Sequence, residues 1–234
     1  MSVAQNIASI QERIASAARR SGRRVEDITL MAVSKTFPAA SIREAYASGI
    51  RVFGENRVQE FSHKADAVRD LQEAEWHMIG HLQSNKAAPA TEAFDAIDSL
   101  DSLKLAEKLN ASAETLGKKL AVLIEVNVGG EAAKSGMAPD SGELEDILTA
   151  APRLASLQFR GLMTIPPFFD DAQQARPYFL RLRALRDQIA ARHLSAVRME
   201  TLSMGMSHDF EIAIEEGSTC VRVGTAIFGQ RTEH

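Results

Sequence analysis

Cysteine is almost missing from this sequence. Cys220 stands alone in 234 residues, so no intrachain disulfide can staple the fold, and a cytoplasmic location is the expectation. Long apolar runs are missing too. Stretches such as Ala121–Ile124 fall far short of the roughly 20 residues that span a bilayer, so no membrane segment is expected. The N-terminus has no basic region followed by an unbroken apolar stretch, which argues against a secretory signal. Positive charge is not in excess: Lys plus Arg is 27 against 31 Asp plus Glu, a net charge of −4, so nucleic acid is not an expected partner. The six histidines and single cysteine show no zinc-ligand spacing. No Pro-, Gly- or Ser-rich linker divides the chain, and no short repeat or low-complexity tract occurs.

Hydrophobic residues make up 45% and charged residues 25%, enough for a sizeable core. The length suits one domain of the α/β-barrel size, about 250 residues. Ile7, Ile10, Ile14 and Ala17 recur at helical spacing and predict an amphipathic helix over about residues 3–20, packed on the body. Eight β-branched or apolar runs follow: 29–34, 51–54, 76–80, 96–100, 121–128, 159–165, 200–204 and 220–224. Each precedes a helix-period stretch or turn. Strict βα alternation predicts a parallel sheet, and eight units predict a closed (β/α)8 TIM barrel. The rival, an open doubly wound sheet, normally carries a Gly-rich turn after its first strand, whereas here that strand runs into Ser34-Lys35-Thr36.

In such barrels chemistry sits where the strands end. Lys35, Glu55-Asn56, His81, Asn127, Met163-Thr164, the run Ser203-Met204-Gly205-Met206-Ser207, and Arg222-Val223-Gly224-Thr225 all fall there. Alternation puts Met31, Val33 and Lys35 on one face, so an inward Val33 places the Lys35 amine in the mouth. In a low-dielectric pocket that amine is a nucleophile towards an aldehyde. Gly205 allows close backbone approach, and Ser207 is placed as the cap of a helix with Asp209 and Glu211 in its first turn. Gly224 and Thr225 open a second such turn, and two neighbouring helix starts form an anion cradle. Arg222, inward by alternation, needs a partner, either Glu200 or Glu125 or a cofactor's ring nitrogen. An amine, an anion cradle and an arginine together suit pyridoxal 5′-phosphate. A Schiff-base sugar-phosphate aldolase would share the first two.

The blocks AVSKTFP, FGENRVQEF, WHMIGHLQSNK, EVNVGGEAAKSG, GLMTIPP and LSMGMSHDFEIAIEEGSTCVRVGTAIFG resemble the pyridoxal phosphate homeostasis proteins, single-domain relatives of the alanine racemase barrel. The resemblance runs from about residue 29 to 229. It implies an alanine racemase N-terminal-domain-like barrel without a second β domain, with the cofactor held as an aldimine on Lys35. It further implies phosphate contacts from Ser203, Met204, Gly205 and Ser207 and from Gly224 and Thr225, Arg222 at the pyridine nitrogen, and Asn56 at the cofactor's edge. Arg57 departs from the family's frequent aromatic. The implied role is buffering of vitamin B6, with no strong catalysis and, as partners, the cofactor itself and its dependent apoenzymes. A monomer is expected.

Two physical points favour a carrier over the alternative, a weak racemase-type enzyme. An arginine at the ring nitrogen disfavours its protonation and weakens the ring as an electron sink. Racemisation also needs acid/base groups on both substrate faces, and Tyr46 and Tyr178 both fall on predicted helices. His81 is the remaining acid/base candidate, Lys134 a loop amine that could take the aldehyde during transfer, and His77 is read as structural. Cys220 is expected buried beneath Arg222. A third reading, an interaction protein docking through the helix 171–193, gives way to a solvated charged face.

Overall fold

The apolar runs become eight parallel strands that pair in chain order and close, β1 against β8, into a barrel. The structure is a computed structural model that describes residues 2–131 and 135–229. Helix α1 (Val3–Arg20) precedes β1 (Thr29–Val33), α2 (Ala39–Ala47), β2 (Val52–Glu55), α3 (Val58–Ala65), β3 (Glu75–Met78) and α4 (Ala87–Ala93). Then come β4 (Ala96–Leu100), α5 (Leu103–Thr115), β5 (Leu120–Glu125), α6 (Gly142–Ala150), β6 (Leu157–Met163) and α7 (Arg176–Ala190). The chain ends its alternation with β7 (Val197–Met206), α8 (Phe210–Glu215), β8 (Cys220–Val223) and α9 (Thr225–Phe228).

Period-two alternation divides the core into two layers. Ala32, Val221 and Val223 face the helices and join the large outer core. Met31, Val33, Ile79 and Cys220 face inward and form a separate cluster inside the barrel. Under the helices, Phe61 packs against Trp76 and Phe94 at centroid distances of 4.6 and 4.9 Å. Ile7, Ile10 and Ile14 of α1 are buried, each worth about 1.5–3 kcal/mol of gross burial. Arg13 pairs with Glu211 at 2.9 Å, and the Asn6 side chain donates to the Ile227 carbonyl at 2.8 Å, so α1 braces α8 and α9 from behind.

Three local expectations are corrected. The fifth strand stops at Glu125 rather than Val128. Beyond it, Asn127 N–H donates to the Met137 carbonyl, because the following loop folds back alongside. The seventh strand is longer than its expected run, Val197–Met206 rather than 200–204, with register shifts against both of its neighbours. The helix after it begins at Phe210, with Asp209 rather than Ser207 at the capping position.

Candidate functional site

Two cavities lie on the barrel axis. The larger, about 740 Å³, opens at the N-terminal end of the strands and is lined by carboxylates around His77 and Asp98. The smaller, about 480 Å³, opens at the C-terminal end. The N-terminal face of such barrels serves stability, so the smaller cavity is the candidate site, and its size suits a small organic ligand.

Strand β1 delivers the first group. Val33 and Lys35 both line the cavity, as the alternation requires. The chain leaves β1 through a tight turn in which Phe37 N–H donates to the Ser34 carbonyl at 3.1 Å. Thr36 holds a φ of 67°, a left-handed conformation that costs a β-branched residue roughly 1–2 kcal/mol. That strain sits directly beside Lys35, and contacts from α3 hold it.

Strand β8 delivers the second. Its register with β1 pairs Met31 with Arg222 and Ala32 with Val223, so Lys35 and Gly224 leave neighbouring strand ends. Arg222 is 3% exposed and still lines the cavity. One guanidinium nitrogen donates to Ser203 Oγ and another to the Thr164 carbonyl, both at 2.7 Å. Among the described residues neither Glu200 nor Glu125 hydrogen-bonds to it. Among the described residues Arg222 has no ion pair, and two neutral acceptors fix its plane. Burial pulls its pKa down, with Asp98, Glu125 and Asp209 acting against that, and a guanidinium stays charged regardless. Beneath it, Cys220 is buried and its thiol is pushed up to about 12, which leaves it unreactive.

The turns after β7 and β8 interlock. Ser207 Oγ accepts from Ala226 N–H at 3.5 Å, so the residue expected to cap its own following helix instead caps α9 across the gap. Gly224 occupies the capping position of α9, and Thr225 is its first residue. Asp209 closes the β7 turn by accepting from Met206 N–H at 2.6 Å, and burial pushes its carboxyl above the usual range. Ser207, Gly224 and Thr225 line the cavity together. Helices of four to six residues carry little macrodipole, so any grip on an anion rests on individual N–H and O–H donors.

Of the other expected site residues, Asn56 lines the cavity, whereas Ser203, Met204 and Gly205 stand behind its wall. Ser203 and Met204 have no exposed surface: one holds Arg222 and the other packs in the outer core. Gly205 approaches α8 closely, since a Cβ there would stand 2.5 Å from that of Ala213. Asn127 organises its own loop, bonding Glu131 and Gly130. His81 lines the cavity with Nδ1 held by Asp101 at 2.9 Å. Arg57 is exposed and outside the lining, and Lys134 lies outside the described residues.

Sequence reasoning missed three features. Ile165, Pro167 and Phe168 form an apolar wall, with the Phe168 ring tilted against that of His208 at a centroid distance of 5.5 Å. The Asp209 lock on the β7 turn is another. The third is a buried group behind Lys35 built from Ser34, Glu55, Glu60 and Lys64, whose visible trace was the Glu60–Lys64 spacing of four. Among the described residues no cluster of three or more His, Cys, Asp or Glu side chains is arranged to hold a metal, and no helix is long and apolar enough to cross a membrane.

Comparison with known proteins places this geometry. The family described as alanine racemase, N-terminal domain, matches residues 5–232. The pyridoxal phosphate homeostasis protein of Aquifex aeolicus is 44% identical over 99% of this chain and 99% of its own. The structure of PipY from Synechococcus elongatus with PLP bound is 39% identical, with a TM-score of 0.81 over 97% of this chain and 100% of that one. Alanine racemase from Corynebacterium glutamicum, at 19% identity and a TM-score of 0.68 over 99% of this chain and 63% of that one, shares the fold alone. The chain belongs to the alanine racemase N-terminal domain family, among its pyridoxal phosphate homeostasis proteins.

Proposed function

We propose that this protein binds pyridoxal 5′-phosphate in the C-terminal mouth and serves as a reversible holder of that cofactor in vitamin B6 homeostasis. One observation carries the reading: Lys35, Arg222, Ser207, Gly224 and Thr225 line a single cavity. The cofactor supplies an aldehyde that condenses with a primary amine. Lys35 is the amine of that wall. Ser207, Gly224 and Thr225 would hold the phosphate, as the sequence motifs lead one to expect. Arg222, fixed by Ser203 and Thr164, would present a donor to the ring nitrogen, and Asn56 would flank the ring. Ser203, Met204 and Gly205 would act through the wall rather than by contact.

A holder rather than an enzyme fits the lining. Neither tyrosine reaches it: Tyr46 lies against Arg51 and Tyr178 against Phe169. The resemblance of PipY, solved with PLP bound, supports the ligand. The same reading has a cytoplasmic monomer passing the cofactor to apoenzymes. One observation favours weak racemase-type catalysis, the placement of His81 against Asp101 in the lining.

The test is a spectrum with chemical trapping. Protein loaded with cofactor is expected to be yellow, and borohydride is expected to fix the adduct on Lys35 by peptide mass. Lys35→Ala is expected to show no fixed adduct. A wild-type protein that takes up no cofactor, or fixes it elsewhere, would overturn the reading. Amino-acid turnover lost in His81→Gln would favour the enzyme instead.

A further inference from the structure

We infer that Lys64 is a positioning residue for Lys35: its buried ammonium staples the turn that carries the nucleophilic amine, with Glu55 as its counterion. The inference rests on the proposed role of Lys35.

Lys64 is a second lysine, behind Lys35 and outside the cavity lining, with an 11% exposed side chain. Its Nζ donates to the Ser34 carbonyl at 3.0 Å and approaches the Phe37 carbonyl at 3.4 Å. Those two carbonyls bracket Lys35 and Thr36. The same Nζ lies 2.8 Å from Glu55 Oε1 and 3.3 Å from Glu60 Oε1. Glu55 Oε1 also accepts from Ser34 Oγ at 2.6 Å, and Glu60 Oε1 accepts the backbone N–H of Thr36. Every anchor therefore meets the turn at a residue adjoining Lys35 or at the far end of the same turn.

The arrangement has a use beyond holding the chain together. Thr36 is in a left-handed conformation unfavourable for a threonine, so an unheld turn would relax. Relaxation at Thr36 rotates the backbone next to Lys35 and swings its amine away from the cavity. Covalent attachment is sensitive to such a swing, because small misplacements of a reacting group cost rate steeply. A charged lysine in a nearly closed site is expensive to bury, and a stability role alone would be served by apolar packing. Glu55, 0% exposed, is explained as the ion-pair partner of Lys64, 2.8 Å from its Nζ.

Lys64→Met alone leaves Glu55 buried without its partner and risks misfolding, so the informative variant is the pair E55Q/K64M, in which Gln can still accept from Ser34. Two ligands separate positioning from general damage. Pyridoxal 5′-phosphate can attach to Lys35; pyridoxine 5′-phosphate has an alcohol in place of the aldehyde and cannot. The variant is expected to attach pyridoxal 5′-phosphate about tenfold or more slowly, read from the growth of the visible band and borohydride fixation. Its affinity for pyridoxine 5′-phosphate is expected to stay within about twofold, because Ser207, Gly224, Thr225 and Arg222 are untouched. Attachment at the wild-type rate would overturn the positioning role. Equal loss for both ligands would also overturn it, assigning the network to the stability of the whole mouth. A wild-type protein that fixes nothing on Lys35 would refute the functional reading first, and is distinguishable because the variant is not then needed.

Discussion

Gly205 shows how tightly single residues are specified at the mouth. It holds a φ of 93°, and a Cβ there would meet Ala213 Cβ at 2.5 Å and Phe210 Cα at 2.9 Å. Gly205→Ala is therefore expected to destabilise the protein by about 2–4 kcal/mol, from left-handed strain plus overpacking. Chemical denaturation checks this, and an unchanged midpoint would mean that α8 moves away freely. Gly80 has a similar part beside Asn56, whose carbonyl oxygen would lie 2.4 Å from an added Cβ. Arg222 works differently: its direction depends on Ser203 and Thr164, the two neutral acceptors that hold its guanidinium. Neutral acceptors fix the plane of the guanidinium without cancelling its charge by a direct ion pair.

Among elements, the far end of the barrel offers a clear pH signature. His77 in β3 has Nδ1 3.0 Å from Asp98 of β4. Burial alone would pull the imidazole down, but the Asp98 carboxylate, helped by Glu75, outweighs it and raises the pKa to about 10. The folded protein then holds a proton that the unfolded chain loses near its ordinary value of 6.5. Stability from this pair is full below that value and falls as pH rises towards about 10, by at most about 1.4 kcal/mol per pH unit. Unfolding free energies between pH 7 and 9 should show the decline, and His77→Gln should flatten it. An equal slope in the variant would show that the imidazole is neutral in the folded state. The helices at the mouth are coupled as well. Ser207 caps α9 rather than α8, and α1 grips both through Asn6 and Arg13, so the candidate phosphate site is one mechanical unit spanning both ends of the chain.

For the whole molecule, barrel closure is the event that makes a site. The β1–β8 pairing puts Lys35, near the start, beside Gly224, near the end, and a ligand bridging them should resist unfolding. At a free cofactor concentration one hundred times its Kd, linkage stabilises the fold by about 2.7 kcal/mol, an increase in Tm of roughly 5–10 °C for a chain of this size. Thermal melts with and without pyridoxal 5′-phosphate test this. Lys35→Ala should lose most of the shift while keeping a smaller one from the phosphate contacts, and an identical shift in both proteins would remove Lys35 from the binding. What the sequence determined by itself was the set of strands, their order and the face each residue takes, because hydrophobic period is a local property: Val33 and Cys220 went inward and Val221 outward as alternation required. It also placed Lys35, Asn56, Arg222, Gly224 and Thr225 at strand ends, where the cavity found them. Only the tertiary structure decided that Ser207 caps the neighbouring helix, that Ser203 serves Arg222 rather than facing the cavity, and that Lys64 and Glu55 close behind Lys35. Those contacts join elements distant in the chain, and their geometry follows from barrel register and helix packing, which no local pattern of residues encodes.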